Sequence, residues 1–581
     1  MTAKFAGAMI ARLVFIAGAL QAPQLMHAET ASATQLREAA NKATRLMESS
    51  IAKVNAGAPC VSCHHGMMPL WTLAIAREHG VDVNPTLQRQ TAIRSFSALK
   101  DVDAAIQGTH VVDENIDVAE LLAFGRELGV APSVTAALHA RRLANYQQGD
   151  GHWKTMDARP PQSYSHFMVT AMAAKTVKAY LPDSEEMKAV RLEKARGWLA
   201  TTRPVSTEDA TFKVLGLSWL GGSALELDAA AKDLAGRQNA DGGWGAMPER
   251  TSDAYATGQA MFALKTVGRI NDKAYDAGAR YLLNTQAPDG SWHVKTRIHE
   301  VAHVSPPKMD TGFPYGPDQI VSMYGTNWAV AALAMGLPEQ KKPIQQITEL
   351  VAETPAWIEA AAFGTMAQLE TVDPNAKTAM GSTALMLTVC DPAKAARLIE
   401  RGADPKAAAR SGQTALSVAA GYAGTAAVVK QLLALGVPAR LDTKAEFHAN
   451  PLIETAWTGD VEVAKALLDA GADMKAQMLR VGVIPMTPLK AAVALDSGEI
   501  LREFLRRGAD PNTVDEIPLL SWAAIGNRMD AAKVLLDGGA NPSLKDQYGW
   551  TPLMHSKGVD HDVNRTEKLI RNAVETLQAA R

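Results

Sequence analysis

This chain of 581 residues has very little cysteine. Only Cys60, Cys63 and Cys390 are present, so the fold cannot be a small scaffold held together by many disulfides. An excess of charge of one sign is also lacking. The formal net charge is −2, which gives no field to attract nucleic acid or an anionic membrane surface, and we expect neither as a partner. The length predicts several domains.

Long apolar runs are lacking beyond the N-terminus. There, Lys4 and Arg12 precede an apolar run over residues 13–20, which is too short for an ordinary transmembrane helix. This layout predicts a secretory signal peptide over residues 1–28. An uncleaved membrane anchor is the alternative. We therefore expect a periplasmic or secreted protein whose mature chain has no membrane span.

The C-terminal part of the sequence repeats itself with a period of about 33 residues. The turn over residues 402–405, which reads GADP, recurs with small changes at 471–473, 508–511 and 539–542. A second pattern, TAL or TPL, follows it at the places where a helix should start. These patterns resemble ankyrin repeats, about six of them over residues 355–581. The resemblance implies a surface that binds a protein partner, with a brace against the preceding domain as the alternative.

Residues 33–340 have helical periodicity and contain the pattern Gln-x-x-x-Gly-x-Trp three times. The copies occupy residues 147–153, 238–244 and 286–292. In tandem they resemble the repeats of squalene-hopene cyclases and other terpene cyclases, and more loosely those of protein prenyltransferases. The resemblance implies an α6/α6 toroid, so the whole protein is expected to be all-α, with the ankyrin solenoid following the toroid.

The activity of those families is not expected to follow. The Asp-x-Asp-Asp acid motif of terpene cyclases is absent, and its nearest counterpart, residues 101–104, ends in Ala104. The toroid has no cysteine after Cys63 for a prenyltransferase-like zinc site. Terpene cyclase chemistry is therefore not predicted, and the sequence leaves open whether the protein is an enzyme.

Residues 60–64 read CVSCH, the attachment motif of c-type cytochromes. In the proteins that this motif resembles, two thiols form thioethers to one haem and the adjacent histidine binds the iron. We predict one covalent haem c per chain, bound by Cys60, Cys63 and proximal His64. A Cys60–Cys63 disulfide, a thioredoxin-like pair and a zinc site are the alternatives.

The sixth iron ligand is less well determined. Met309, within a proline-rich stretch, has suitable local chemistry, and His303 is the neighbouring alternative. His110 and His166 are further candidates. A methionine or histidine would favour electron transfer, whereas an open position would favour chemistry on a small ligand.

The sequence thus predicts an exported c-type haem protein with a redox or electron-transfer role, which docks a redox partner or another protein through its ankyrin repeats. One alternative is a periplasmic binding scaffold without redox chemistry. The other is an enzyme acting on an apolar, isoprenoid-like small molecule inside the toroid.

Overall fold

The computed structural model describes residues 30–57, 66–108, 114–156, 160–162, 164–297, 310–340, 346–350, 353–439, 450–480, 484–558 and 565–579. These residues are mostly helical. Their strands form three short antiparallel hairpins: Trp244–Gly245 with Ser252–Asp253, Met478–Arg480 with Ile484–Met486, and Val514–Asp515 with Ile517–Pro518. Across the ranges described, every helix is too short or too polar to cross a membrane.

The first thirteen helices form what we call the helical region. They are α1 Ala33–Gly57, α2 Met68–Glu78, α3 Pro85–Ser95, α4 Val102–Gln107, α5 Glu114–Ala123, α6 Val134–Asn145, α7 His166–Tyr180, α8 Lys188–Thr201, α9 Thr207–Leu220, α10 Ala224–Ala235, α11 Ala254–Thr266, α12 Asp272–Thr285 and α13 Gln319–Ala334.

Six of these helices, α2, α5, α7, α9, α11 and α13, form the interior and are called core helices here. Each packs against the next in the order α5, α7, α9, α11, α13, α2. Peripheral helices lie outside them: α6, α8 and α10 each pack against two neighbouring core helices. The two classes differ in burial: α13 is buried from Val321 to Ala334, whereas α12 buries only Gly278, Ala279 and Leu282.

The two ends of the helical region meet. The first helix, α1, packs against both α12 and α13. A hydrogen bond between Gln286, at the end of α12, and the carbonyl oxygen of Ala39 in α1 joins residues 247 positions apart. The region is therefore closed by contacts between its first and last helices.

The three Gln/Trp motifs form the same join three times. Each glutamine amide donates to the glycine carbonyl of its own motif and to a carbonyl on the next peripheral helix: Gln147 to Arg191 (2.8 Å), Gln238 to Ala274 (2.9 Å) and Gln286 to Ala39 (2.9 Å). The motif glycine has a positive φ each time, and a Cβ there would meet the backbone of that next helix within 2.4–2.8 Å. The glycines therefore permit close approach of the two chain segments.

The tryptophans of the motifs are buried, and each satisfies its indole N–H on the preceding helix. The acceptors are the carbonyls of Leu143, Leu234 and Leu282, at 2.7–2.9 Å. The backbone N–H of each tryptophan donates to a threonine in the following core helix, namely Thr170, Thr257 or Thr326. Each motif thus connects two peripheral helices and one core helix, as its sequence led us to expect for the indole.

The remaining helices form the repeat region. They are α14 Ala356–Phe363, α15 Met366–Leu369, α16 Ala384–Thr388, α17 Pro392–Glu400, α18 Ala415–Ala420, α19 Ala426–Ala434, α20 Pro451–Thr458, α21 Val461–Asp469, α22 Pro488–Ala494, α23 Gly498–Arg506, α24 Leu519–Ile525, α25 Met529–Asp537, α26 Pro552–Gly558 and α27 Arg565–Ala579. Among the described residues these make seven helix pairs, against about six expected.

The pairs stack in a line. The first helices of the pairs (α14, α16, α18, α20, α22, α24 and α26) pack in a row, and the second helices from α17 to α27 form a second row. The turn glycines Gly402, Gly471, Gly508 and Gly539 all have φ between +83° and +92°. Thr487 caps α22, with Pro488 in its first turn. The predicted roles of the glycine and the Thr-Pro-Leu step are therefore confirmed.

Candidate functional site

The predicted haem residues Cys60, Cys63 and His64 lie outside the described residues, as do His303 and Met309 and the N-terminal residues 1–29. The structure does describe the residues that adjoin these segments. The motif connects the end of α1, at Gly57, to the start of α2, at Met68. The segment with His303 and Met309 precedes Asp310. No cluster of three metal-ligating side chains occurs among the residues that the structure does describe.

The flanks of these two segments contact each other. The Ser50 hydroxyl, in α1, donates to the backbone oxygen of Thr311 at 2.8 Å, and this contact is buried. Lys53 pairs with Asp310 at 2.8 Å on the surface. Gln319, at the start of α13, accepts from both the backbone N–H and the hydroxyl of Thr311. The residue following Met309 is thereby held beside the helix that leads to Cys60.

His166, a further candidate ligand, is the first residue of α7. Its ring stacks on that of His152, with centroids 5.3 Å apart, and His152 stacks on Trp198. Burial, with the nearby charge of His152, lowers the pKa of His166 well below its usual value. The imidazole is therefore neutral at physiological pH and packed within aromatic rings.

The core helices carry a layer of polar side chains in their N-terminal halves. The Tyr255 hydroxyl of α11 donates to a carboxylate oxygen of Glu208 in α9 at 3.0 Å, and both residues are buried. Burial, then the Glu208 carboxylate, raises the pKa of Tyr255, and Tyr164 and Glu120 lie close enough to raise it further. Tyr255 is therefore a neutral hydrogen-bond donor inside a buried, acidic cluster.

Several amide or hydroxyl groups of the core helices have unpaired atoms. Gln259, one helical turn after Tyr255, is fully buried, and neither its Oε1 nor its Nε2 has a hydrogen-bond partner. The Thr211 hydroxyl, three residues after Glu208, and Oδ1 of Asn327 are also fully buried and unpaired. Such groups are rare in native proteins, so each needs an explanation.

Aromatic rings fill the next level of the same interior. Trp71 of α2 stacks on Phe124 at a centroid distance of 4.2 Å, and meets Phe262 of α11 and Trp328 of α13 edge-on at 4.9 and 5.3 Å. Phe212 of α9 contacts Trp328 at 6.2 Å. We call these rings the aromatic layer, and the level formed by Glu208, Thr211, Tyr255 and Gln259 the polar layer.

Sequence reasoning missed both layers. The signal was present as a spacing: Glu120 and Phe124, Glu208 and Phe212, and Tyr324 and Trp328 are each four residues apart, hence on one face of a helix. A polar residue inside an otherwise apolar core helix points to a special role, but only the packing shows that several helices bring these residues to one level.

The repeat region packs the row of its first helices against the helical region. The Arg142 guanidinium of α6 forms an ion pair with Glu454 of α20 at 2.9 Å, and both side chains are only 4% exposed. Tyr146, directly after α6, accepts from Arg142 and lies against Trp457 of α20. The row of first helices thus contacts the chain's own α4 and α6.

Polar contacts extend this interface. The neighbouring Arg141 donates to the carbonyl of Ala362 and pairs with Glu185 at 2.6 Å. Gln107 donates to the Ser382 hydroxyl and accepts from Ser411, so that two turns of the repeat region bind the end of α4. Cys390 lies just beyond α16 rather than within a helix, 3.6 Å from Arg141.

Residues 101–104, the nearest counterpart of the terpene cyclase acid motif, have structural roles. Asp101 caps α4 by accepting from the backbone N–H of Ala104 at 2.9 Å. Asp103 accepts from the hydroxyls of Thr378 and Ser382 in the repeat region. The Asp101 carboxylate therefore stabilises the start of α4, and the Asp103 carboxylate stabilises the contact of α4 with the repeat region.

Comparison with known proteins identifies the C-terminal part. A family model described as "Ankyrin repeats (3 copies)" matches residues 489–563. The chain is 33% identical to neurogenic locus notch homolog protein 1 of Danio rerio over 149 residues, 25% of this chain and 6% of the relative. It is 36% identical to SH3 and multiple ankyrin repeat domains protein 2 of Homo sapiens over 112 residues, 19% of this chain and 6% of the relative.

Among solved structures, the human ASB11 ankyrin repeat domain aligns with a TM-score of 0.33 at 23% identity, covering 38% of this chain and 98% of that one. The ankyrin repeat domain of Bcl-3 aligns with a TM-score of 0.30 at 25% identity, with the same coverage. The chain spans less than a tenth of the length of the curated relatives it matches. The C-terminal region consists of ankyrin repeats, which are protein-interaction modules.

Proposed function

We propose that the protein is an exported c-type haem protein with a redox role, in which Cys60 and Cys63 attach the haem and His64 binds the iron. Haem c, when bound, supplies an iron that exchanges one electron. The observation that carries the proposal is the buried contact of Ser50 with Thr311. The contact holds Thr311, two residues after Met309, beside the helix that leads to the attachment motif, so that ligands from both segments would be able to reach one iron.

The helical region would serve as the frame of this site, as an α/α toroid. Support comes from the six core helices that pack successively, the contact between α1 and the last two helices, and the three equivalent Gln/Trp joins. In such a frame the start of α2, directly after the attachment motif, would lie close to the aromatic layer, to which Trp71 belongs.

A pyridine haemochrome spectrum tests the haem. The full chain would be produced in the periplasm of a host with haem-attachment machinery, beside Cys60→Ala/Cys63→Ala and the matched control Cys390→Ala. We expect a c-type band that survives denaturation in the wild type and the control and is lost in the double variant. A folded wild-type protein without that band would overturn the proposal and leave the scaffold function with a disulfide.

The sixth ligand is tested by potentiometry on the same holoprotein. If Met309 binds the iron, Met309→Leu should lower the reduction potential, because methionine ligation raises it relative to other ligands. His303→Gln would identify the alternative. Met187→Leu, on an exposed residue of the helical region, is the control. Unchanged potentials in both test variants would exclude both residues as ligands.

The ankyrin repeats are proposed to act first as a brace for this frame, because Arg142, Gln107 and Asp103 bind side chains of their first helices and turns. Docking of a redox partner would then use the outward row of second helices. Crosslinking of the holoprotein in periplasmic extract, with and without an exposed-face variant such as Arg502→Glu/Arg506→Glu, tests this arrangement. A crosslink that maps to the first helices instead would contradict it.

A further inference from the structure

We propose that the interior between the polar and aromatic layers is a binding site for a small, neutral, amphipathic molecule, one with an apolar ring and a hydroxyl or carbonyl group. Gln259 would form its hydrogen bonds, and the aromatic layer would contact its apolar part. This inference does not depend on the haem, and it differs from an apolar, isoprenoid-like ligand in requiring a polar group.

The position of Gln259 supports the site. On the same face of α11, Tyr255 precedes it by one turn and Phe262 follows it by three residues. Tyr255 contacts Glu208 of α9 and Phe262 contacts Trp328 of α13 at 5.8 Å. Gln259 therefore lies between two contacts that both point into the interior. Its amide has one acceptor and one donor group unused and no exposure to solvent.

A ligand or an ordered water would offset the cost of leaving these groups unpaired. A buried, unpaired polar group costs free energy comparable to a lost hydrogen bond, and Gln259 offers two such atoms, with Thr211 contributing a third from the facing helix. An apolar molecule alone would leave all three unsatisfied. A hydroxyl group can donate to Oε1 of Gln259 and accept from its Nε2, whereas a carbonyl group can only accept, from Nε2 and the Thr211 hydroxyl.

The charge of the surroundings favours a neutral molecule over an anion. Glu208 and Glu120 both lie near Tyr255, so an anion would meet like charge in a buried setting. The aromatic layer, with Trp71 and Trp328 at its centre, offers contact to an apolar ring. Phenol has the required chemistry and is a suitable probe, with benzene as the matched apolar compound.

The test measures phenol and benzene binding to the full-length protein by ligand-observed NMR, together with a crystal structure of the phenol-soaked protein. Variants are Gln259→Met and Thr211→Val in the site. The control is Thr44→Val, which removes an equally buried and unpaired hydroxyl from α1, outside the polar layer. We expect phenol to bind with its oxygen at Gln259, and Gln259→Met to weaken it about tenfold. Thr44→Val should have no effect, and benzene binding should not fall in Gln259→Met.

Three results would overturn the proposal. The first is electron density for ordered water alone at Gln259 with no phenol binding. The second is equal binding of phenol to wild type and Gln259→Met. The third is a loss of binding in Thr44→Val equal to that in Gln259→Met. Should Gln259→Met fail to fold, the isosteric Thr211→Val provides the same comparison. Because the measurement needs no iron signal, its failure is distinct from failure of the haem proposal.

Discussion

The helical region and the ankyrin repeat region are both built from pairs of helices, but they end differently. In the helical region the first helix packs against the last two, so the chain closes on itself. In the repeat region the contacts join each pair to the next, from the pair that starts with α14 to the pair that starts with α26. A closed arrangement makes every join depend on the others, whereas a linear array distributes its stability among neighbours. Substitutions at equivalent positions should therefore have unequal effects.

The largest effect is expected where the two regions meet. Arg142→Ala leaves the Glu454 carboxylate buried without its partner, and should lower the free energy of unfolding by about 3–5 kcal/mol. Urea unfolding followed by circular dichroism measures this, and we expect the two regions to unfold in separate transitions in the variant. Arg89→Ala, which breaks an ion pair whose side chains are 36% and 42% exposed, should cost much less. A loss for Arg142→Ala no larger than that for Arg89→Ala would mean that the interface does not couple the regions.

Two glycines with similar backbone conformations allow the contribution of the closing contact with α1 to be compared with that of a turn in the repeat region. Gly290 has φ +99°, and a Cβ there would meet the backbone of Lys42 at 2.8 Å, whereas Gly539 has φ +92° and open space around it. Gly290→Ala should therefore cost about 2–4 kcal/mol and Gly539→Ala about 1–2 kcal/mol, the strain of the conformation alone. Thermal unfolding of both variants gives the comparison. Equal losses would show that the close approach to α1 contributes nothing.

The glutamine of the third motif should have a smaller, local effect. Gln286→Leu removes the donor to Ala39 and should cost about 1–2 kcal/mol. Hydrogen exchange should increase in α1 but not in the repeat region. Gln148→Leu removes a bond within a single turn, to Tyr146, and is the control. Equal exchange of α1 in both variants would argue against a closing role for Gln286.

Acidification should act on the two regions in opposite directions, with the smallest effect. Burial raises the pKa of Asp253 to about 6, so folding takes up a proton between pH 7 and 5 and the start of α11 gains stability as the pH falls. Burial lowers the pKa of His555, opposed in part by its bond to Asp546, so protonation of the unfolded chain below pH 6.5 removes stability from α26. Hydrogen exchange measured at both sites as a function of pH tests the two directions. Asp253→Asn should abolish the gain in stability at the start of α11 as the pH falls.

The sequence predicted most of what depends on local patterns. The ankyrin turns could be read from Gly402 and its counterparts, because a positive φ leaves a visible preference for glycine. The Gln/Trp motifs predicted helix ends with a satisfied indole. The sequence did not predict the hydrogen bond from Gln286 to Ala39, because that pairing is set by closure of the whole region.

The polar layer and the interface were harder to predict for the same reason. Gln259 and Thr211 are unremarkable in sequence, and only the packing of α9 on α11 brings them to one interior. Arg142 and Glu454 are 312 residues apart, and each alone reads as an ordinary surface charge. Long-range partners of this kind have no local signature.

The bond between Gln286 and Ala39 has a consequence for how the chain folds. Since it joins residues 247 positions apart, α1 can reach its final contacts only after nearly all of the helical region is available. Loop closure over that length carries a substantial entropic cost before any contact offsets it. We expect the ankyrin repeats, whose contacts join neighbours, to fold rapidly and locally, and the closing of α1 onto α12 to be the late, slow step.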